Sequence, residues 1–254
     1  VVLLAAANRV ATLILEQNAV PGVTNRLLGT VVRAAAVSYQ DTLGCFGHKG
    51  FVSGNPVRAG FFESAPPRKV MTEPRILVIG GSQGAHAINV AVIEAVSSLV
   101  KSLGVIHVTH QTGQVDFDMV ARAYQSVGVD VRVEPFLNKM DSEMSDADVV
   151  VCRAGATTLA ELAAAGRPSI LIPYPDAAND HQRRNAEVFE KSGATEVIDP
   201  NDLTAAILAE RLMGLIIDNG RRLSLAASAL CLSAPEAAAQ IVDRMEYLIS
   251  DREN

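Results

Sequence analysis

"ADVVVCRAGATTLAELAAAGRPSILIPYP", residues 147–175, places an alanine- and leucine-rich segment between two short apolar runs. The runs VVVC and SILI have the length and apolar content of buried strands, whereas TTLAELAAAG has the spacing of a helix that ends at a glycine. A strand, a crossover helix and a second strand form a parallel unit in which both faces of the strands are covered. This stretch therefore predicts an α/β fold built on a parallel sheet.

The same alternation continues on both sides of residues 147–175. RILVIGG, GVIHVTHQTG, VRVEPFL and ATEVID are further strand-like runs, and AINVAVIEAVSSLV, DFDMVARAYQSV and HQRRNAEVFEKSG are helical windows between them. Beyond Pro200 the pattern is helical. We predict a parallel-sheet domain over residues 75–234 and, over residues 235–254, a helix that packs back on the first domain.

Residues 1–65 form a different segment. ATLILEQN indicates a strand, PGVTNRLLGTVVRAAAVSY a helix and a strand, and FVSGNPVRAGFF a strand ending in a Gly-Asn-Pro turn. The opening VVLLAAANRVATLIL is short and interrupted by Arg9, so it favours a buried helix and strand over a membrane span. Residues 66–74 are proline-rich and charged, which is typical of a linker. About 65 residues make barely half of an α/β domain, so the segment is expected to be the carboxyl-terminal part of one.

Composition excludes some classes of function. The net charge of −6 argues against a general nucleic-acid binder. The three cysteines, Cys45, Cys152 and Cys231, have no CxxC spacing and indicate reduced, structural thiols. His107 and His110 are three apart on a strand and therefore point to opposite faces, which argues against a shared metal.

A glycine-rich loop follows the first strand of the larger domain. In ILVIGGSQGAHAIN, residues 76–89, glycines let the backbone approach a ligand, and the following helix offers free N–H groups to an anion. The Ser82 hydroxyl can donate to a phosphate oxygen. The alternative is a tight turn that binds nothing, since the spacing is neither GxGxxG nor GxxxxGK[ST].

Two more loops lie at the same edge of the predicted sheet, where ligands gather in parallel α/β folds. In RAGATT, the N–H groups of Ala156 to Thr158 begin a helix, and Glu161 one turn later can grip the vicinal hydroxyls of a ribose. An acid there also suits the helix dipole, which is the alternative. In YPDAANDHQRRNA, the carboxamide of Gln182 suits sugar hydroxyls, unless the loop only caps a helix with Asn179 or Asp180.

These three loops, together with LEQNAVPGVTNRLL and GNPVR, resemble in order the motifs of the bacterial UDP-N-acetylglucosamine transferases of glycosyltransferase family 28, and the resemblance covers about Ala11 to Leu248. It implies an α/β GT-B glycosyltransferase with two Rossmann-like domains, the first one truncated and the second binding UDP-GlcNAc. The implied reaction is inverting transfer of GlcNAc from UDP-GlcNAc to the MurNAc 4-hydroxyl of lipid I (undecaprenyl-diphospho-MurNAc-pentapeptide), which gives lipid II for peptidoglycan. The resemblance also implies no cofactor, no essential metal, no nucleic-acid partner and a peripheral position at the cytoplasmic face of the membrane.

The resemblance further implies a set of substrate-binding residues. Ser82 would meet the diphosphate, Leu137 would offer its backbone to uracil, and Gln182 would bind the GlcNAc hydroxyls. Asn18 and Arg58 would close over the nucleotide sugar from the first domain. The path from phosphate through ribose to sugar would be lined by Ala156, Thr157, Thr158, Leu159, Ala160 and Glu161. Ser82, Glu161 and Gln182 follow from the loops as well, whereas Leu137, Asn18 and Arg58 come from the resemblance alone.

The sequence departs from the family pattern in its acceptor half. The Gly-Thr-Gly-Gly-His loop, which carries the family's proposed histidine base, has no counterpart here and is expected upstream of Val1, so no catalytic residue is assigned. The histidine of the His-Glu-Gln-Asn segment is replaced by Leu15. Two alternatives therefore stay open. One is a non-catalytic UDP-sugar-binding fragment that needs a partner chain for the acceptor half, and the other is a related GT-B transferase with another lipid acceptor.

Overall fold

Two parallel sheets organise the chain. The structure, a computed structural model, describes residues 1–250 except 82, 83, 128, 130, 176, 178 and 179. A smaller sheet has the order β1-β2-β3, and a larger sheet has the order β6-β5-β4-β7-β8-β9. The strands are β1 (Leu13–Glu16), β2 (Ala34–Val37), β3 (Gly50–Val52), β4 (Arg75–Ile79), β5 (His107–Gln111), β6 (Val131–Glu134), β7 (Val149–Cys152), β8 (Ser169–Leu171) and β9 (Glu196–Val197).

Helices connect the strands and follow the last one. They are α1 (Val2–Ala7), α2 (Val23–Gly29), α3 (His86–Leu103), α4 (Phe117–Val127), α5 (Met140–Asp146), α6 (Ala156–Ala165), α7 (His181–Lys191), α8 (Ala205–Ile217), α9 (Asn219–Cys231) and α10 (Ala237–Ser250). Every strand predicted from the sequence forms, and each pair is parallel. The predicted α/β fold class is confirmed.

The larger unit is a three-layer sandwich. Alternate strand residues point to opposite faces, so Ile76 and Val78 join the core beneath α3, α4 and α8. Leu77 and Ile79 join the opposite core beneath α5, α6, α7 and α9. Both faces of the sheet are therefore covered, which explains why its strands are apolar at nearly every position.

Helix α3 is long and apolar enough, by length and composition, to span a membrane. Its apolar side packs on the sheet and on α8, with Ile88, Val92, Val96 and Leu99 buried. A core helix of a globular domain passes the same test, so its composition alone does not indicate a span.

The smaller unit has a modest core of its own. Its buried apolar residues are Ile14, Val32, Ala35, Val37 and Phe46. After β3 the chain leaves this core, and Phe61, in a single 3₁₀ turn, is fully buried in the larger unit beside Leu159 and Met144. The smaller unit is thus anchored to the α5 and α6 side of the larger sheet.

Arginines hold residues 65–73 against the larger unit. Arg68 pairs with the buried carboxylate of Asp148. Arg167 donates to the Ala65 carbonyl oxygen, and Arg222 donates to that of Arg68 at 2.7 Å. The Arg167 and Arg222 side chains are almost fully buried. This segment therefore packs on the larger unit as an extended surface segment. Past α9 the chain returns to the smaller unit, where Gly54 packs against Ala234 and Ala237.

Two helices differ from the sequence predictions. The opening helix was expected to be buried, yet α1 buries no side chain, and Leu3 and Leu4 are 59% and 71% exposed. The prediction was wrong because an apolar helix is buried only where a neighbouring element covers it, and little of the described chain packs on α1. Helix α5 was not predicted, since its sequence MDSEMSD buries only Met144 and has no helical periodicity to detect.

Candidate functional site

The principal cleft lies at the carboxyl ends of β4, β7 and β8. Its volume is about 650 Å³, within the range of sites for cofactors and nucleotide-sized ligands. It is lined by Ile79, Gly80, Gly81, Gly84, Cys152, Arg153, Gly155, Thr158, Tyr174 and Gln182. The cleft therefore brings together the three loops that the sequence singled out.

The glycine loop fits closely against the end of β5. Gly84 has a φ of +78°, and a Cβ there would lie 2.7 Å from the Thr112 carbonyl oxygen. A Cβ on Gly80 would lie 2.9 Å from the Gln111 carbonyl oxygen. Both positions therefore require glycine, and the loop leads into the amino terminus of α3. Ser82 lies outside the described residues.

Helix α6 presents its first turn to the cleft. Its N-cap, Gly155, supplies no side-chain cap, so the first N–H groups of the helix remain available to an anion. Thr158 lines the cleft, whereas Thr157 is exposed and is not among the residues that line it. Leu159 points away, because its side chain is fully buried in the core. The side chains of Ala156 and Ala160 face a small gap of about 80 Å³ between the two units.

Arg153, at the start of the RAGATT loop, holds the backbone that follows β8. Its Nη1 donates to the carbonyl oxygens of Ile172 and Pro173, at 3.0 and 2.9 Å. Its guanidinium also lies 5.5 Å from the ring centroid of Tyr174. These contacts fix the backbone after β8, which forms one wall of the cleft.

Glu161 lies one turn into α6, half-buried between the units. The pKa of its carboxyl is raised above the ordinary value, mainly by burial. The positive charge of Arg58, from the smaller unit, partly offsets this rise, and the negative charge of Asp141 adds to it. Arg58 is exposed and stacks 5.3 Å above the Phe61 ring. The structure thus brings Glu161 of the larger unit and Arg58 of the smaller unit within electrostatic reach of each other.

Gln182 occupies the first turn of α7. Its Oε1 accepts hydrogen bonds from the N–H of Ala154 at 3.2 Å and from that of Tyr174 at 2.9 Å. Among the described residues its Nε2 has no partner, so it can donate into the cleft. Asp180 is the N-cap residue but has a φ of +56° and makes no side-chain cap. Capping by Asp180 therefore does not account for this loop, and Asn179 lies outside the described residues.

Asn185 joins the two units and was missed by the sequence reasoning. Its Nδ2 donates to the Ala154 carbonyl oxygen and to Asn18 Oδ1, and its Oδ1 accepts from the Ala19 N–H at 2.9 Å. Its side chain is fully buried. The motif DHQRRNA contained this residue, but partners 166 or 167 positions away cannot be recognised before the fold is known.

The buried carboxylate of Glu16 shapes the loop that carries Asn18. It accepts hydrogen bonds from the Asn18 N–H, from the Gly22 N–H and from Asn25 Nδ2. Asn18 therefore faces Asn185 because its loop is folded around Glu16. Leu15, the residue before Glu16, is 40% exposed on β1.

Leu137 lies on the loop after β6. Its side chain is 3% exposed and belongs to the same core as Ile79 and Leu159. Only its backbone can face a ligand, which is the role that the resemblance implied.

A parallel sheet with a ligand-sized cleft at its strand ends, facing a second and smaller α/β unit, defines the GT-B class of architecture. The profile of the glycosyltransferase family 28 C-terminal domain matches residues 75–244. The chain therefore belongs to glycosyltransferase family 28.

Relatives and solved structures agree with this assignment. The UDP-N-acetylglucosamine--N-acetylmuramyl-(pentapeptide) pyrophosphoryl-undecaprenol N-acetylglucosamine transferase of Anaeromyxobacter sp. (strain K) is 42% identical over 99% of this chain and 66% of its own. The protein of the same name from Desulfotalea psychrophila is 41% identical over 98% of this chain and 69% of its own. Acinetobacter baumannii MurG superposes with a TM-score of 0.78 at 28% identity, over 97% of this chain and 69% of that one. The chain thus spans about two thirds of the length of the relatives it matches.

Proposed function

We propose that the protein takes part in inverting transfer of GlcNAc from UDP-GlcNAc to the MurNAc 4-hydroxyl of lipid I, giving lipid II for peptidoglycan. The names of the curated relatives supply the donor sugar and the lipid-linked acceptor. The observation that carries the proposal for this chain is the convergence of the glycine loop, the α6 amino terminus and Gln182 around one cleft of about 650 Å³, with Glu161 one turn further along α6. Substrate binding by the predicted residues is part of this proposal.

The cleft suits a nucleotide sugar in three parts. The amino termini of α3 and α6 favour the negative charge of a diphosphate, and this charge grows when the sugar–phosphate bond breaks. The Glu161 carboxylate can accept hydrogen bonds from two vicinal ribose hydroxyls. The free Nε2 of Gln182, whose Oε1 is held by two backbone N–H groups, can donate to a sugar hydroxyl. These residues would bind and orient the donor and stabilise the departing UDP.

The acceptor half of the reaction needs a base within hydrogen-bonding reach of the attacking hydroxyl. No described residue is assigned this role. Asn18 and Arg58 would complete the donor site from the smaller unit, where Asn18 is held by Asn185 and Arg58 faces Glu161. A peripheral position at the cytoplasmic face of the membrane belongs to the same proposal. It is supported by the undecaprenol in the relatives' names and by exposed apolar side chains on α1 and α2.

Calorimetric titration of the 254-residue chain with UDP-GlcNAc tests the donor site directly, with UDP-glucose as the control. We expect binding that prefers GlcNAc. Absence of binding to either ligand would refute the proposed donor site in this chain. Binding without turnover on lipid I would favour the alternative, a UDP-sugar-binding fragment that depends on a partner chain.

The variant Glu161→Ala sharpens this test. Removal of the carboxylate should weaken UDP-GlcNAc binding by about 1–3 kcal/mol, because ribose hydroxyls would be left unpaired in a partly buried site. The matched control is Glu187→Ala on α7, whose carboxylate pairs with Arg184 on the surface. An unchanged dissociation constant for Glu161→Ala would remove Glu161 from the site.

A further inference from the structure

A polar network ties the first turn of α3 to the loop that precedes α4. Its centre is the carboxylate of Asp116, whose side chain is 13% exposed. The carboxylate bonds to His86 Nδ1 at 3.0 Å and accepts from Asn89 Nδ2 at 2.8 Å. The N-cap residue of α3 is Ala85, which has no polar side chain to offer the helix. The first turn of α3 is therefore held from a neighbouring loop and not by its own N-cap side chain.

Asn89 connects Asp116 to the backbone at the end of β5. Its side chain is fully buried, and its Nδ2 also donates to the Thr112 carbonyl oxygen at 3.0 Å. Its Oδ1 bonds to His110 Nε2, also at 3.0 Å. Both polar atoms of the carboxamide are therefore engaged, which fixes its orientation in the core. Through Asn89, the position of Asp116 helps to determine the position of the Thr112 carbonyl oxygen.

The glycine loop closes directly on this carbonyl oxygen. A Cβ on Gly84 would lie 2.7 Å from the Thr112 oxygen, and the Gly80 N–H donates to the neighbouring Gln111 carbonyl oxygen at 2.9 Å. Gly80 and Gly84 both line the principal cleft. Close-packed groups transmit a displacement because no free space absorbs it. A shift of the Thr112 carbonyl oxygen would therefore move the loop that borders the cleft.

Charge and position act in opposite directions at Asp116. The amino terminus of α3 favours an anion in the cleft, and a negative charge bonded to the first turn of that helix opposes the same anion. If Asp116 acted by its charge alone, its removal would strengthen the binding of a diphosphate. If it acts by holding the loop in place, its removal would weaken that binding. The two roles therefore predict effects of opposite sign.

We propose that Asp116 is a positioning residue for the diphosphate of the donor. It holds the first turn of α3 and, through Asn89, the Thr112 carbonyl oxygen on which the glycine loop rests. The positioning effect outweighs the unfavourable charge. This inference rests on the proposed function, since it assigns a supporting residue to the same donor site.

The variants Asp116→Ala and Asp116→Asn test the role by calorimetry on the full chain, with UDP and with uridine, which lacks the diphosphate. We expect Asp116→Ala to lower UDP affinity about tenfold and uridine affinity by less than about twofold, within the range by which residues outside a site modulate its affinity. Asp116→Asn keeps an acceptor oxygen for Asn89 and loses the charge, so its UDP affinity should equal or exceed that of the wild type. The control is Asp118→Ala, which removes an exposed acid from the first turn of α4 and should change neither affinity.

The outcomes separate the two proposals. Failure of the wild-type chain to bind UDP would overturn the proposed donor site itself. Unchanged or tighter UDP binding by Asp116→Ala, or an equal loss for UDP and uridine, would overturn the positioning role while the donor site stands. An equal loss of UDP affinity in Asp116→Asn and Asp116→Ala would also overturn it, because the acceptor for Asn89 is kept in the first variant. If Asp116→Ala does not fold, as judged by circular dichroism, Asp116→Ser replaces it. Its shorter side chain keeps the polarity but does not reach Asn89, so the same selective loss is expected.

Discussion

The two units of this chain are built from the same elements but are stabilised differently. In the larger unit α3 buries seven side chains, whereas in the smaller unit α1 buries none. The larger sheet is covered on both faces by apolar cores, while the smaller unit depends on polar contacts such as the Glu16 and Asn185 hydrogen bonds. The strand ends that line the cleft are therefore supported by the unit with the larger core.

The largest expected difference concerns apolar side chains of the two units. Leu212 on α8 is fully buried and Leu4 on α1 is 71% exposed. Leu212→Ala should lower the free energy of unfolding by about 2–5 kcal/mol, because it leaves a cavity in a close-packed core. Leu4→Ala should change it by less than about 0.5 kcal/mol. Urea denaturation measures both, and similar losses would refute the contrast between the units.

The pH dependence of stability should trace to the larger unit. Burial lowers the pKa of His110 to about 3, against a smaller opposing effect of Asp116. Below pH 6.5, the ordinary pKa of histidine, His110 is protonated in the unfolded state but stays neutral in the folded state. Stability from this group is therefore complete above that pH and is lost as the pH falls towards 3. Between pH 6.5 and about pH 4.5 the expected loss is on the order of 2–3 kcal/mol.

Urea denaturation at several pH values checks this prediction, with His110→Gln as the comparison. Glutamine keeps a hydrogen-bonding group between Asn89 and Tyr124 but does not titrate. The variant should show a flatter pH dependence over this window. The same slope in both proteins would mean that another group is responsible.

The contact between the units should weaken when Asn185 is removed. Asn185→Ala leaves Asn18, Ala19 and the Ala154 carbonyl oxygen without their shared partner, which should cost about 1–3 kcal/mol. Because the smaller unit has the smaller core, hydrogen exchange should accelerate in β1 and β2 more than in β4 or β7. The control is Arg184→Ala, an exposed neighbour on α7. Uniform acceleration across both sheets would contradict a local role.

The smallest expected effect on stability is at the surface of α2. Leu27 is 67% exposed, whereas its neighbour Leu28 packs on the core of the smaller unit. Leu27→Glu should shift the free energy of unfolding by less than about 0.5 kcal/mol and reduce self-association, because it removes exposed apolar surface. Leu28→Glu should destabilise the protein clearly. Sedimentation measures self-association, and urea denaturation measures the free energy of unfolding. Undiminished self-association of Leu27→Glu would show that the exposed face of α2 is not the surface through which the protein associates.

Sequence patterns identified the strands because each buried run is apolar and is bounded by Gly, Pro or Asp. They also located the three loops of the cleft, since residues that follow parallel strands must meet at one edge. They could not reveal that α1 is exposed, because an apolar sequence does not show whether a neighbouring element covers it. They missed Asn185, because that residue is defined by partners far away in the chain.

Helix α7 links the cleft to the contact between the two units. Gln182 and Asn185 lie one turn apart on the same face and grip opposite ends of one residue, the N–H and the carbonyl oxygen of Ala154. The first side chain reaches towards the cleft and the second towards the smaller unit. A ligand that orders the Gln182 side chain would therefore also stabilise the contact between Asn185 and Asn18. By reciprocity, that contact between the units would raise the affinity for the ligand by the same factor. A comparison of UDP-GlcNAc affinity in the wild type and in Asn185→Ala would give the size of that coupling.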